Sequence, residues 1–224
     1  MEMTVMLWLW MGILGTTWAA ERPPCQDGPP AGWVRLTEAS HGVRVDARYA
    51  SAENFTAAPL PGYHRPEAWL RAEAASALSR AAGHARKAGF LLVVYDAYRP
   101  VRATEAMVDW TERTDQPHLI SNGYIAARSG HNHGHTVDLS LMTLAGEAVD
   151  MGADFDHFGK ESHHGAAVSA KARHHRSVLK AAMEAAGFRA YSKEWWHYRL
   201  PLSGTRPMDV PIGCPPVSAP VHEP

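Results

Sequence analysis

The chain has 224 residues, of which 46% are hydrophobic and 20% are charged, and this is the composition of an ordinary globular protein. The length is sufficient for one sizeable core and does not require two domains. The formal net charge of -1 lacks the basic excess of proteins that bind nucleic acids or anionic membranes, so we expect neither partner. Histidine is unusually frequent, with 14 residues, most of which follow residue 130.

The N-terminal segment has the pattern of a secretory signal peptide. An apolar run over residues 5–14 is too short to span a bilayer, and small residues and then Trp-Ala-Ala at 18–20 follow it. We predict a signal peptide over residues 1–20 and one catalytic domain with irregular termini over residues 21–224. The mature protein would be periplasmic or secreted, with no membrane anchor after cleavage of the signal peptide. Glu2 and the lack of Lys or Arg before the run leave a buried N-terminal helix as the alternative.

Two cysteines, Cys25 and Cys214, lie close to the two ends of the predicted mature chain. An even number of cysteines in an exported protein is typical of disulfides, so we predict a Cys25–Cys214 bond that joins the two ends. Two unpaired thiols are the alternative. Neither cysteine belongs to a C-x-x-C pair, so a thiolate metal site is not expected.

The predicted helices and strands follow one another without a regular repeat. The segment 65–89, with Pro66 near its start, is predicted to be a helix, and the apolar run "FLLVVYDAY" that follows is predicted to be a buried strand. Four further elements are predicted: helices over 101–113 and 174–188, and strands over 135–142 and 192–200. Helices and strands mixed in this way favour an α+β fold over a doubly wound sheet.

The strand "HTVDLSLM" carries a carboxylate among apolar residues. Thr136, Asp138 and Ser140 alternate with the apolar side chains, so the two groups face opposite ways. One interpretation is a polar edge that faces solvent, and the other is a carboxylate directed from a rigid strand into a cleft. His131 precedes Asp138 by seven residues, and Gly134 lets the backbone turn between them. Imidazole and carboxylate are both suitable ligands for zinc.

A third candidate ligand comes from "KEWWHYRL", where Glu194 and His197 form an E-x-x-H pair. Positions three apart face opposite ways in a regular strand, so both can serve one site only if Glu194 lies in a turn or bulge. Three protein ligands and one open position are typical of catalytic zinc, and desolvation by Trp195 and Trp196 would make Glu194 more basic. The alternative is that the tryptophans belong to the core and that Glu194 is merely exposed.

Arg99 closes the predicted strand "FLLVVYDAY". The residue could simply pair with Asp96. Alternatively, it could offer a fixed cation to the oxyanion of a tetrahedral intermediate.

Together these segments resemble the zinc D-Ala-D-Ala dipeptidases of the VanX type, in peptidase family M15. The resemblance rests on S-x-H-x-x-G-x-x-x-D at 129–138 and E-x-W-H at 194–197. It also rests on "RYASAENFTAAPLPGY", "YDAYRPVRA" and "MGADFDHFGKESHH", which occur in the family's order between about residues 43 and 200.

The resemblance implies a small α+β domain whose antiparallel sheet, flanked by helices, carries one Zn²⁺ per chain. It implies hydrolysis of a small dipeptide substrate, D-Ala-D-Ala, in cell-wall metabolism. It also implies roles for seven residues. The zinc ligands would be His131, Asp138 and His197, and Glu194 would act first as general base and later as general acid. Arg99 would stabilise the oxyanion, Asp156 would bind the ammonium group of the substrate, and Ser129 would line the pocket.

Two departures from the family pattern are visible in the first motif. Thr136 stands where the family usually has a small apolar residue, and His133 and His135 are not part of the pattern. Neither departure changes a ligand, so we predict that His133 and His135 are dispensable for zinc binding.

Two other functions are compatible with the sequence. A D,D-carboxypeptidase or peptidoglycan endopeptidase of the same fold would share the ligands and accept larger substrates. A non-catalytic periplasmic protein could instead use the histidine-rich stretches "HNHGH", "SHH" and "RHHR" to hold several metal ions. Such a protein would have no use for Glu194, Arg99 and Asp156 at these positions.

Overall fold

The computed structural model describes residues 22–215, so the predicted signal peptide lies outside the described residues. Within this described range seven short strands form two sheets, and in chain order they are β1 (Trp33–Arg35), β2 (Val43–Val45), β3 (Trp69–Arg71), β4 (Phe90–Asp96), β5 (Thr136–Thr143), β6 (Arg189–Ala190) and β7 (His197–Arg199). The α-helices are α1 (Glu38–His41), α2 (Ala72–Lys87), α3 (Val101–Arg113), α4 (His118–Ser121) and α5 (Ala170–Ala185).

The main sheet has five strands in the order β2-β4-β5-β7-β6. Strand β2 pairs with β4 in parallel, and the other three pairings are antiparallel. Strands β1 and β3 form a separate antiparallel pair. The predicted α+β fold with a small antiparallel sheet is therefore confirmed, apart from the parallel pairing of β2 with β4, which was not predicted.

Helices α2 and α5 cover one face of this sheet. Leu78 of α2 and Leu179 of α5 are fully buried in the same core cluster as Leu139 and Leu141 of β5. Many core positions of α2 are alanines, which let the helix approach the sheet closely. The apolar side of β5 is thus covered by helices, and its polar side is left to face the opposite layer.

Two predicted helix boundaries are wrong. The helix predicted over 65–89 begins only at Ala72, because Trp69–Arg71 pairs with β1 as a strand and buries Trp69 and Leu70 completely. The helix predicted over 174–188 begins earlier, at Ala170, where the Ser169 hydroxyl accepts a hydrogen bond from the backbone N–H of Ala172.

A second cluster of buried aromatic and aliphatic residues lies beside the sheet, around Trp69 and Tyr98. The C-terminal segment 201–215, which has no helix or strand, passes over this cluster. Val210 accepts a hydrogen bond from the Tyr98 hydroxyl at 2.9 Å, and Ile212 forms a bridge with Tyr63. This segment ends at the Cys25–Cys214 disulfide, so the predicted bond is present.

Among residues 22–215, no helix is both long and apolar enough to cross a membrane.

Candidate active site

The site is built where β5 meets its two neighbouring strands. In the register of the sheet, Asp138 lies opposite Asp96 of β4 on one side and opposite His197 of β7 on the other. The pairing brings together residues that are 42 and 59 positions apart in sequence. The interpretation of this strand as a solvent-facing edge is wrong, because Thr136, Asp138 and Ser140 are at most 3% exposed.

His131 reaches the same point from a 3₁₀ turn over Gly130–His133. Gly134 ends this turn with a φ of 69°, and a side chain there would collide with the ring of Trp33. The glycine thus allows the chain to turn sharply from His131 into β5.

Three side chains converge as the sequence predicted. His131 Nε2 lies 3.2 Å from Asp138 Oδ2, His197 Nδ1 lies 2.9 Å from Asp138 Oδ1, and the two imidazole nitrogens are 3.3 Å apart. Ligand atoms placed about 2.0–2.1 Å from a zinc ion in tetrahedral geometry lie roughly 3.3 Å from one another. The separation of the two imidazole nitrogens fits such an ion, and each of them has one oxygen of the Asp138 carboxylate at a similar distance.

The hydrogen bonds of His131 select the nitrogen that can bind a metal. Nδ1 lies 2.7 Å from the backbone carbonyl of Ala97, which can only accept, so Nδ1 carries the proton. Nε2 faces Asp138 and His197, and its lone pair would be available to a metal ion bound there. This is the supporting contact that a metal-binding histidine usually has.

Charge also favours a cation at this point. Burial would raise the pKa of the Asp138 carboxyl, but the imidazoles of His131 and His197 outweigh it and hold that pKa well below its ordinary value. Asp138 therefore remains ionised although it is buried.

Glu194 lies beside these three residues, in the turn that precedes β7. The E-x-x-H pair can thus serve one site, because Glu194 is outside the regular strand. Its Oε2 is 3.6 Å from His197 Nδ1. The alternative that Glu194 is exposed is wrong, since it is 6% exposed. Burial, followed by repulsion from Asp138, raises the pKa of Glu194 well above its ordinary value.

Trp195 and Trp196 do belong to the core, as the alternative interpretation held, and they are 2% and 1% exposed. They nevertheless help to form the site. Trp196 lines the cavity, and its carbonyl accepts a hydrogen bond from the N–H of Leu139, which attaches the Glu194 turn to β5.

Arg99 lies just beyond the end of β4, next to Asp138. Its Nη2 lies 3.7 Å from Asp138 Oδ2, and its guanidinium stacks over the ring of Tyr49 at 5.0 Å. Arg99 also pairs with Asp96 at 2.8 Å. The two interpretations of this residue are therefore compatible, because the ion pair leaves the guanidinium beside the site.

Asp156 and Ser129 also reach the site. The Tyr49 hydroxyl donates to the Asp156 carboxylate, at 3.1 and 3.0 Å from its two oxygens. Burial, with Asp138 as the second cause, raises the pKa of Asp156 well above its ordinary value. Asp156 has a φ of 60°, an uncommon conformation for a residue with a side chain. The Ser129 hydroxyl accepts a hydrogen bond from the His131 N–H, so it also caps the 3₁₀ turn.

All seven predicted site residues line one cavity of about 390 Å³. The rest of its wall is mainly apolar and aromatic, formed by Tyr49, Phe55, Met107, Ile120, Gly123, Tyr124, Ile125, Ala126, Gly130, Phe158, Tyr191 and Trp196. Most of these residues were not predicted individually. Tyr49 and Phe55 lie in the segment "RYASAENFTAAPLPGY", whose family resemblance was the available signal.

His133 and His135 point away from the three converging residues. His133 Nδ1 lies 3.0 Å from the Thr205 hydroxyl, and the buried Nδ1 of His135 has no hydrogen-bond partner. Burial lowers the pKa of His135 to about 4, so it is neutral. Within residues 22–215, the one cluster with metal-ligand spacing comprises His131, Asp138 and His197.

Comparison with known proteins agrees with this geometry. Three curated relatives, each named D-alanyl-D-alanine dipeptidase, are similar over most of their length. The protein from Enterococcus faecium is 39% identical over 184 residues, covering 75% of this chain and 91% of the relative. The Streptomyces coelicolor protein is 40% identical (74% and 89% covered), and the Escherichia coli protein is 34% identical (74% and 83% covered).

A family model also matches the chain. The model, Peptidase_M15, is described as D-ala-D-ala dipeptidase and matches residues 30–216, which is most of the sequence. On the family model and the three relatives, this chain belongs to the Peptidase_M15 family of D-ala-D-ala dipeptidases.

Proposed function

We propose that the protein is an exported, zinc-dependent dipeptidase that hydrolyses D-Ala-D-Ala in cell-wall metabolism. The observation that carries this proposal is the convergence of His131, Asp138 and His197 beside the buried carboxylate Glu194. A metal store needs ligands but has no need for an adjacent base of raised pKa. The names of the relatives supply the substrate.

His131, Asp138 and His197 would hold one zinc ion through two nitrogens and one carboxylate oxygen. Zinc held in this way supplies a Lewis acid that polarises a peptide carbonyl and acidifies a water molecule. Three protein ligands leave room for the water and the substrate, which is the arrangement of catalytic rather than structural zinc sites.

Glu194 is the general base. Its raised pKa makes the carboxylate a better proton acceptor, and its position 3.6 Å from His197 Nδ1 places it next to the reacting atoms. It takes the proton from the attacking water and afterwards gives that proton to the amine that leaves. The peptide C–N bond breaks, and two free amino acids result.

Arg99 stabilises the negative charge that develops on the former carbonyl oxygen. Arg99 is 8% exposed, so water screens its charge only weakly. Its position next to Asp138 puts it on the same side of the cavity as the metal ligands.

Asp156 binds the free ammonium group of the substrate. A carboxylate that is buried beside another carboxylate is destabilised, and an incoming cation relieves that cost. The Tyr49 hydroxyl, whose pKa burial and Asp156 raise, remains protonated and holds the carboxylate in place. A peptide with a blocked N-terminus would leave Asp156 without a partner, so dipeptides are favoured over longer chains.

Export is supported by the signal-like N-terminus and by the Cys25–Cys214 disulfide, since disulfides persist in oxidising compartments. An exported enzyme would meet D-Ala-D-Ala released from the wall. This location favours turnover or nutrient use over depletion of a cytoplasmic precursor.

The test is D-Ala release from D-Ala-D-Ala, compared with N-acetyl-D-Ala-D-Ala and a wall pentapeptide. We expect rapid hydrolysis of the free dipeptide, loss of activity after dialysis against a chelator, and recovery with one equivalent of zinc. Faster hydrolysis of the blocked substrates would identify a carboxypeptidase or endopeptidase instead. Several bound zinc ions without hydrolysis would identify a metal-binding protein.

A further inference from the structure

The guanidinium of Arg99 is bonded most closely to Asp96, and it also stacks over the ring of Tyr49 and lies 3.7 Å from Asp138. Both Nε and Nη2 donate to Asp96 Oδ2, at 3.0 and 2.8 Å. Nη1 lies 3.2 Å from the sulfur of Met107. The carboxylate of Asp96 therefore fixes the plane and direction of the guanidinium, and the remaining N–H groups are left on the side of the cavity.

Asp96 is itself held by a buried tyrosine. The Tyr63 hydroxyl donates to Asp96 Oδ1 at 2.6 Å, so each carboxylate oxygen has its own partner. Asp96 and Tyr63 are 2% and 5% exposed, and neither lines the cavity. Asp96 contacts the site through Arg99 and through His131, whose Nδ1 is 3.3 Å from Asp96 Oδ2, and the ring of Tyr63 also packs edge-on against the ring of Tyr49 at 6.0 Å.

The backbone of Tyr63 is fixed by the C-terminal segment. The backbone N–H of His64 donates to the Ile212 carbonyl, and the N–H of Ile212 donates to the Gly62 carbonyl. Gly62 has a φ of 88° and little space around its Cα, so this turn has few alternatives. The disulfide at Cys214 lies two residues beyond Ile212.

We propose that Tyr63 and Asp96 are positioning residues, and that the chain of hydrogen bonds from Tyr63 through Asp96 sets the direction of the Arg99 guanidinium. This inference rests on the proposed function, in which Arg99 stabilises developing charge. A free arginine side chain samples many rotamers, and a displacement of about 1 Å costs roughly 100-fold in rate. The hydrogen-bonded chain removes that freedom before the substrate binds.

The kinetic test uses Tyr63→Phe, which removes one hydroxyl and leaves the ring. We expect kcat to fall about five- to twenty-fold with KM changed less than two-fold, because Arg99 acts on charge that develops in the transition state. Tyr98→Phe is the matched control: Tyr98 is also buried, and its hydroxyl bonds the Val210 carbonyl instead of Asp96. The control should lose comparable stability and retain its kcat.

Coupling to Arg99 separates positioning from a general structural effect. In an Arg99→Lys background, Tyr63→Phe should change kcat less than two-fold, because the group that it positions is gone. Asp96→Asn is the second variant, with an expected fall in kcat of about 30-fold or more and zinc content still near one. Equal losses in both backgrounds, or an equal loss in the control, would overturn the proposal.

A spectroscopic measurement keeps the test independent of peptidase activity. In ¹⁵N-labelled, metal-free protein, the Arg99 Nε–H signal, assigned by its absence in Arg99→Lys, should exchange slowly with solvent. Its exchange should accelerate at least ten-fold in Tyr63→Phe and remain unchanged in Tyr98→Phe. Unchanged exchange in both would refute the positioning role. An inactive wild-type protein with this exchange pattern would refute the proposed function and leave the positioning of Arg99 by Tyr63 and Asp96 intact.

Discussion

Replacement of Glu194 by glutamine separates catalysis from folding. The side chain is 6% exposed, and its nearest ionisable partner is His197, at 3.6 Å. Glutamine has nearly the same shape but cannot accept a proton at neutral pH. The substitution therefore removes the base without leaving a cavity or an unpaired cation.

The expected loss of activity follows from the role of a general base. Such groups contribute about 10²–10⁴ in rate, equivalent to roughly 3–5 kcal/mol of transition-state stabilisation. The stability of the folded metal-free protein should increase in the same variant. Because burial raises the pKa of Glu194, its ionised form destabilises the folded metal-free protein at neutral pH. Removal of that charge should raise Tm by about 2–4 °C for each kcal/mol gained.

The assay measures kcat with D-Ala-D-Ala, zinc per chain and the Tm of metal-free protein at pH 7. The pH dependence of the Tm difference between variant and wild type tests the sign of the stability effect. Unfolded Glu194 ionises near pH 4.3, so the Tm advantage of the variant should be absent well below that pH and appear as pH rises above it. Glu112→Gln, on the exposed side of α3, is the matched control and should change none of these values.

Three results would refute this reasoning. Retention of more than about a tenth of kcat would exclude Glu194 as the base. Loss of zinc together with activity would show that Glu194 acts as a ligand. A lower Tm in the variant would show that the buried carboxylate stabilises the metal-free fold.

Four further outcomes are expected. Asp156→Asn should raise KM for D-Ala-D-Ala at least about ten-fold and leave N-acetyl-D-Ala-D-Ala hydrolysis unchanged, whereas equal losses would contradict ammonium binding. Serine at both Cys25 and Cys214 should lower the free energy of unfolding by up to about 5 kcal/mol, because the disulfide closes a loop across 189 positions. Urea denaturation measures this loss, and a value below about 1 kcal/mol would contradict the expectation. His133→Ala should keep zinc near one per chain by elemental analysis, and zinc loss would make His133 a ligand. Burial lowers the pKa of His164 to about 4, so metal-free protein should lose stability as pH falls from about 6.5 towards 4. His164→Gln should flatten that loss, and an unchanged pH profile would contradict it.

The sequence by itself determined the chemistry of the site. His131, Asp138 and His197 could be selected as candidate ligands because their residue types and motif spacing match those of one enzyme family, and in the structure their ligand atoms all lie within 4.8 Å of one another. The buried strand "FLLVVYDAY" and the α+β class were also predictable, since apolar runs and helical periodicity are local signals.

Helix boundaries depended on pairing between distant segments. The residues Trp69–Arg71 directly precede helix α2, yet they form a strand because β1 offers backbone partners and a buried position for Trp69. No local pattern contains that information, since it depends on where residues 33–35 lie in the folded chain.

The Asp96–Arg99 ion pair joins residues three positions apart, and the sequence offered it as one interpretation. The contact of Tyr63 with Asp96, 33 positions away, was decided by tertiary structure alone. Such long-range contacts leave no periodic pattern in the sequence, because they join segments that meet only through the pairing of the strands and the passage of the C-terminal segment. Sequence motifs specify which atoms react, since the chemistry restricts those residue types. The packing decides which buried groups hold the reacting atoms in place, because many residue combinations can fill the same space.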